Sequence, residues 1–554
     1  MSRDYEFLNR FRRQASEAEQ SLIEGVLRGT FSRRDLLRHG SVLGLSLPLL
    51  GRLGLAAGLG TAAFPATARA APGGVIRVAS STPSTAIDPV LVPDSSGLTL
   101  LQQTGEYLAI DGPDLVLRPT LATSWTPNKD GTVWSFKIRT GVKFHNGAAL
   151  TAKDVAASIN RLADPANKSN ALSAFHGVLS PGGAKVVDDE TVAFHLDAPN
   201  GNFPYIVSSD NYNAIIIPAD YAGDWEKTFI GTGPFKLEKY TPKVGASFVR
   251  NPDYWGEKAI PDRVEFIFYA DIQPQILALQ GGDVDVIKQV PVLAALPILN
   301  DPRINVISIG SVAHQQVHMR TDQSPFQDKR VRQALALTLD RDKLVQGLLR
   351  GRAKVGNDSP FAALYPSTDP TVPQRKQDLG AARQLLEAAG VGKGFKVTLT
   401  TENYLEIPQY AQLIQSAAKQ VGIDIALKIE DQGAYYGDAV PGKSDWLDST
   451  MGITDYGHRG VPNVYLSAPL LSTGTWNAAH FNNPEYDQLV KSYVGALDLS
   501  AQQAAAGKIQ RLLLDETPIV FGYFYDYLAV TAKNVTGVEV TAMAHVFLDK
   551  AKKG

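Results

Sequence analysis

Between residues 435 and 476 the chain gathers side chains that could grip a small molecule without transforming it. Tyr435, Tyr436, Trp446, Tyr456 and Trp476 share one polar, Gly/Pro/Asp-rich region with Asp455, His458 and Arg459. Aromatic walls with a few polar anchors suit a cleft for a small polar guest: the rings displace water and the anchors fix orientation. Arg459 could hold a carboxylate through two parallel hydrogen bonds. Any one of these aromatics, taken alone, is equally suited to core or rim packing. Far from them, the strand expected over 75–79 runs into Ser81-Thr82-Pro83, and strand ends in α/β domains commonly carry ligand contacts.

Residues for catalysis are harder to find. The 554 residues contain no Gly-x-Ser-x-Gly elbow and no His-Glu-x-x-His. Ser416-Ala-Ala-Lys419 matches the Ser-x-x-Lys of penicillin-recognising enzymes, and Ser209-Asp-Asn211 their second motif. The order is reversed, however, Lys-Thr-Gly is missing, and Ser416 falls on an ordinary amphipathic helix. Gly231-Thr-Gly233 precedes a strand, which excludes a dinucleotide-binding turn. His145 has no second ligand at helical or strand spacing and reads as a turn histidine. His314 and His318 would share one side of a strand but sit roughly 13 Å apart, too far to share a metal ion. Cysteine is absent, so there is no thiolate metal site, no cysteine nucleophile and no disulfide framework. The reading is a binding protein, not an enzyme, with no cofactor and no resident metal.

The elements that must position these residues follow from the patterning. Residues 1–70 hold ten of the 54 Lys+Arg and six of the 56 Asp+Glu, which leaves a mildly acidic body unsuited to nucleic acid. Phe31-Ser-Arg-Arg-Asp-Leu-Leu-Arg38, a Gly/Leu/Ala-rich tract and Ala68-Arg-Ala70 have the layout of an export signal cleaved near Ala70. The paired Arg33-Arg34 resembles the twin-arginine form, an address for folded cargo. Arg52, Pro48 and many glycines argue against a membrane span, and the missing cysteine excludes a lipoprotein. Further on, Phe229-Ile-Gly-Thr-Gly-Pro-Phe predicts a tight turn, with Gly231 and Gly233 free to take positive φ, opening a hairpin over 235–240 and 246–250. Strand–helix–strand units over 262–287 and 395–430 lie beyond it, and the pattern over 329–350 predicts a long helix or a helix pair. Their helices cover sheets on both faces, so the fold class is α/β, with two lobes arranged as a hinged clamp.

Several of these stretches resemble the solute-binding proteins of peptide/nickel/opine-type ABC importers. Gly-Thr-Gly-Pro-Phe235 followed by Arg250-Asn-Pro-Asp-Tyr-Trp-Gly256 resembles that family's return into the ligand lobe. Leu121-Ala-Thr-Ser-Trp125, Gly141-Val-Lys-Phe-His-Asn-Gly147, Arg330-Val-Arg-Gln-Ala-Leu335 and Asn483-Pro-Glu-Tyr-Asp487 are similar to other family segments. The resemblance implies a two-lobed periplasmic binding protein fold of type II-like form, with an additional domain inserted in the first lobe. The implied boundaries are an export signal over 1–70, first-lobe pieces over 72–113, 231–318 and 520–554, an inserted domain over 114–230 and a second lobe over 319–519. It also implies a periplasmic monomer that hands its ligand to ABC permease subunits. Asp455 takes the place of the aspartate that pairs with a peptide ligand's α-ammonium group, and Ser81 and Thr82 stand beside the cleft. The run after Asp455, Tyr456-Gly-His-Arg-Gly460, departs from the Asn-Gly-Asp-Pro-like sequence of many peptide-binding members. A short peptide or an amino-acid conjugate such as an opine is the expected ligand. A nickel-type metal chelate, an oligosaccharide and, more distantly, a secreted serine hydrolase are the alternatives.

Overall fold

A computed structural model describes residues 15–28, 30–43, 45, 50 and 73–554. The expected cleavage position near Ala70 lies outside the described residues. Among the described residues, no helix is long and apolar enough to cross a membrane.

Two mixed sheets set the architecture. The first orders its seven strands Ile304–Ile309, Tyr527–Ala532, Val286–Ile287, Val75–Ser81, Arg263–Tyr269, Gly245–Arg250 and Phe235–Thr241. Val75–Ser81 is central and parallel to both its neighbours, so the helix Ile272–Gly281 carries the chain over it from one side to the other. Asp271 stands at that helix's N-cap without a side-chain hydrogen bond.

The edge hairpin forms as the sequence predicts, but its glycines serve another purpose. Neither Gly231 nor Gly233 takes a positive φ. The backbone instead passes so close to Thr104 that a Cβ on Gly231 would lie 2.0 Å from the Thr104 carbonyl oxygen. The Gly233 N–H donates to that same oxygen at 2.8 Å. The Gly233 carbonyl in turn receives His145 Nε2 at 3.0 Å and Asn251 Nδ2 at 3.1 Å, so His145 is satisfied by backbone. Tyr254 and Trp255 then donate to the two oxygens of buried Glu106 at 2.7 and 2.8 Å.

The second sheet orders Ala353–Val355, Ile519–Tyr525, His314–Met319, Met451–Tyr456, Phe395–Glu402 and Ile423–Glu430. Phe395–Glu402 and Ile423–Glu430 pair in parallel through the helix Ile407–Lys419, which carries Ser416. The stretch over 329–350 becomes two helices, Lys329–Leu337 and Arg341–Gly347. Asp340 turns its carboxylate onto the Lys343 N–H at 3.1 Å and caps a fresh start. A four-stranded sheet, Ala122–Pro127 to Ala184–Asp188, falls inside 114–230, and its core is continuous with that of the first lobe.

Two crossings between the main sheets fall elsewhere than at 318/319 and 519/520. His314–Met319 already belongs to the second sheet, so the chain leaves the first after Ile309, where Gly310-Ser311 was the available mark. Ile519–Tyr525 is still in the second sheet and Tyr527–Ala532 is in the first, so the return takes place at Asp526. An unbroken apolar stretch with a single polar residue carries no compositional sign of that switch.

Candidate ligand-binding site

Met451–Tyr456 runs through the middle of the second sheet, between His314–Met319 and Phe395–Glu402. Its end delivers Asp455 and Tyr456 to one wall of the second lobe. A cavity of about 200 Å³ lies there, and Tyr436, Trp446, Asp455, Tyr456, Arg459 and Trp476 all line it. Segments forty residues apart are thus brought to one wall. Sequence reasoning missed Thr454, Gly457, Val464 and Tyr465, which complete that wall.

Three expected residues stand apart from it. Tyr435 is fully buried, its ring edge-on to Tyr436 at 5.2 Å and its hydroxyl 3.0 Å from Thr454 Oγ1, so it backs the wall without forming it. Ser81 and Thr82 end the central strand of the first sheet, where the Thr82 N–H donates to the Tyr269 carbonyl at 3.3 Å. Neither belongs to the lining of this cavity.

Asp455 is the group out of electrostatic balance. Its Oδ1 accepts the Tyr525 hydroxyl at 2.8 Å. Its N–H donates to Glu402 Oε1 at 3.2 Å, and Glu402 also accepts Tyr436 at 2.7 Å and Gln432 at 2.7 Å. Burial pushes the Asp455 carboxyl up to about 8; the Glu402 and Glu406 charges add to the rise and the Tyr525 hydroxyl opposes it. The carboxyl is largely desolvated, and the charges that act on it, Glu402 and Glu406, are both negative. An ammonium group in the cavity would supply the missing charge.

Arg459 reaches out of the second lobe. Its guanidinium lies 5.9 Å from the centroid of the Tyr212 ring, and its charge draws Asp210 down against the burial that pushes that carboxyl up to about 6. A smaller cavity of about 50 Å³ lies beyond it, bounded by Asn170, Tyr212 and Asn213. The seam is further tied by Asn202 Nδ2 donating to Asn463 Oδ1 at 3.0 Å and the Leu293 N–H donating to Glu406 Oε1 at 3.2 Å. The Gly460 N–H donates across it to Asp210. These bonds join opposite sides of the cleft, so the clamp stands closed.

Glu402, Glu406 and Tyr525, which act on Asp455, are residues that the sequence did not yield. Glu402 had one usable sign, since it ends a strand of a strand–helix–strand unit, where α/β sheets present ligands. His314 and His318 are buried on one strand, where burial holds them down at about 3 and about 4. Among the described residues, no group of three or more His, Asp or Glu is placed to hold a metal ion.

The model of the bacterial extracellular solute-binding proteins, family 5 Middle, matches residues 116–475. The chain belongs to this family. Among its family 5 relatives, the dipeptide-binding protein DppE of Bacillus subtilis is 26% identical over 515 residues, covering 86% of this chain and 92% of that protein. The periplasmic murein peptide-binding protein MppA of Escherichia coli is 27% identical over 438 residues, covering 74% and 79%. The solved structure of the periplasmic binding protein DppA from Helicobacter pylori, in complex with the peptide STSA, superposes with a TM-score of 0.72. That likeness holds at 24% identity, over 87% of this chain and 98% of that one. The two-lobed α/β fold is therefore that of a periplasmic binding protein.

Proposed function

We propose that this protein captures a short peptide, or a related amino-acid conjugate, outside the cytoplasm and presents it to the permease of an ABC importer. The observation that carries the reading is Asp455, a largely desolvated carboxyl lining a partly open cavity, with Glu402, Glu406 and Tyr525 around it. An α-ammonium group would complete it with a charge-assisted hydrogen bond. Arg459, across the same cavity, suits the ligand's carboxylate. The volume is below the roughly 300–1,000 Å³ of pockets for drug-sized ligands, which favours a guest of two or three residues over a longer peptide or an oligosaccharide. Ligand contacts to both lobes make closure a shift of population toward the form described. No step of bond making is required of any residue, and the chain acts by stoichiometric capture as a monomer. Residues 1–70 are its export signal, cleaved near Ala70, and the mature chain carries no lipid. The names of DppE, MppA and the STSA complex support the peptide class.

Mass spectrometry of small molecules released from the purified protein tests the ligand class directly. A molecule with a free amine and a carboxylate, present at one per chain, is the expected result. With that molecule in hand, Asp455→Asn should weaken binding by about 2–5 kcal/mol by calorimetry, the cost of losing one partner of a buried charge pair. Equal affinity in the two proteins would remove Asp455 from the site.

A further inference from the structure

The N-terminal segment is folded, and it is built onto the body at the seam of the clamp. Ser16 caps the helix Glu17–Leu27 in a reciprocal pairing with Glu19, and Ser32 pairs with Asp35 in the same way at the start of Arg33–Val42. The Thr30 N–H returns to the Gly25 carbonyl at 2.9 Å and folds the two helices into a hairpin. Leu22, Ile23, Val26, Phe31 and Leu36 are buried in that hairpin and pack on Leu499 of the body. Such packing is more than an export signal needs.

Arg38 is the hairpin's polar anchor. It is 4% exposed. Its Nη1 donates to the Leu364 carbonyl at 2.8 Å and its Nη2 to the Gly460 carbonyl, while the guanidinium lies 5.0 Å from the centroid of the Tyr365 ring. Across the seam from those acceptors, Asn202 and Tyr205 of the 114–230 domain line one small cavity with Arg38, and its charge acts on Asp111 and Asp210. Gly460 is therefore held on both sides, its N–H by Asp210 and its carbonyl by Arg38. Gly460 follows Asp455 by five residues, and its neighbour Arg459 lines the ligand cavity. A group that touches both sides only when they meet must favour the closed form.

We propose that residues 16–43 are an intramolecular plug, which through Arg38 holds the clamp shut and keeps the precursor from loading ligand until the segment is released. The timing rests on the reading of residues 1–70 as an export signal; the mechanical effect does not. A folded precursor so held would not fill itself with cytoplasmic peptides before export.

The chain has no cysteine, so a labelled pair introduces no competing site. Lys185→Cys, on the four-stranded sheet of the inserted domain, and Lys396→Cys, on the second sheet, are both exposed and lie on parts that separate on opening. Energy transfer between dyes at these positions is read in the full chain, in Arg38→Ala and in Leu22→Asp, which loosens the hairpin without touching the Arg38 contacts. The expected result is one short distance in the full chain and a second, longer population in both variants, with Gly460 amide exchange at least tenfold faster. An unchanged single distance in folded Arg38→Ala would overturn the plug. If that variant does not fold, the same unchanged distance in Leu22→Asp overturns it. N-terminal sequencing of the exported protein tests the signal independently: a retained residue 16 would sink the export-signal reading alone.

Discussion

With Asp455 in the role proposed for it, ligand capture is a proton-linked event. In the closed, empty protein its carboxyl is neutral up to about 8, because burial and the Glu402 charge disfavour ionisation. Beside an ammonium it ionises, so binding sheds a proton below pH 8 and affinity should climb with pH toward that value, by at most about tenfold per unit. Calorimetry in two buffers of different ionisation enthalpy measures that proton, and Asp455→Asn should abolish it. Glu402→Gln removes the larger neighbouring charge, so its affinity should level off at a lower pH than the parent's. The same shift has a stability sign. The folded value lies above the ordinary carboxylate range, so the empty protein loses stability as pH rises from about 4 to about 8. Asp455→Asn should therefore melt above the parent at pH 8 and level with it at pH 4. Asp455 itself was legible from its neighbours in the chain and from a family likeness. Glu402 and Tyr525 were not, because strand register, and not sequence distance, brings them within hydrogen-bond reach of it.

At the scale of elements, most of what was legible came from period and punctuation. The hairpin after Pro234 and the strand–helix–strand over 395–430 follow from alternation and length. What period cannot give is the neighbour from a distant stretch. Gly231 read as a turn glycine, and its actual constraint is the Thr104 carbonyl, over a hundred residues earlier. Gly231→Ala should accordingly cost about 1–3 kcal/mol in urea unfolding, the usual range for an overpacked site. A cost near zero would mean that the Thr104 backbone gives way. Because Glu106 receives Tyr254 and Trp255 from the same motif, loosening the hairpin should also quench the ordered fluorescence of Trp255.

At the scale of the whole molecule, closure depends on how near the two sides can come. A Cβ on Gly460 would lie 2.5 Å from Tyr205 Cδ1 and 2.6 Å from Asp111 Oδ2. Gly460→Ala should thus hold the sides apart while leaving each folded, weakening the ligand about tenfold, or about 1.4 kcal/mol. Binding calorimetry beside an unchanged circular dichroism spectrum checks both halves of that statement. The existence of two lobes was legible, since each is a repeated local pattern, but the points of exchange between them were not. Strand order in a sheet is a tertiary fact, and only Asp526 separates a strand of one sheet from a strand of the other. A pivot one residue long can swivel but has no slack to stretch. The last residue before it is Tyr525, whose hydroxyl steadies Asp455. The residue that steadies the gripping group and the axle itself are consecutive in the chain, so a tug on the cargo passes through Tyr525 to the joint that must turn to release it.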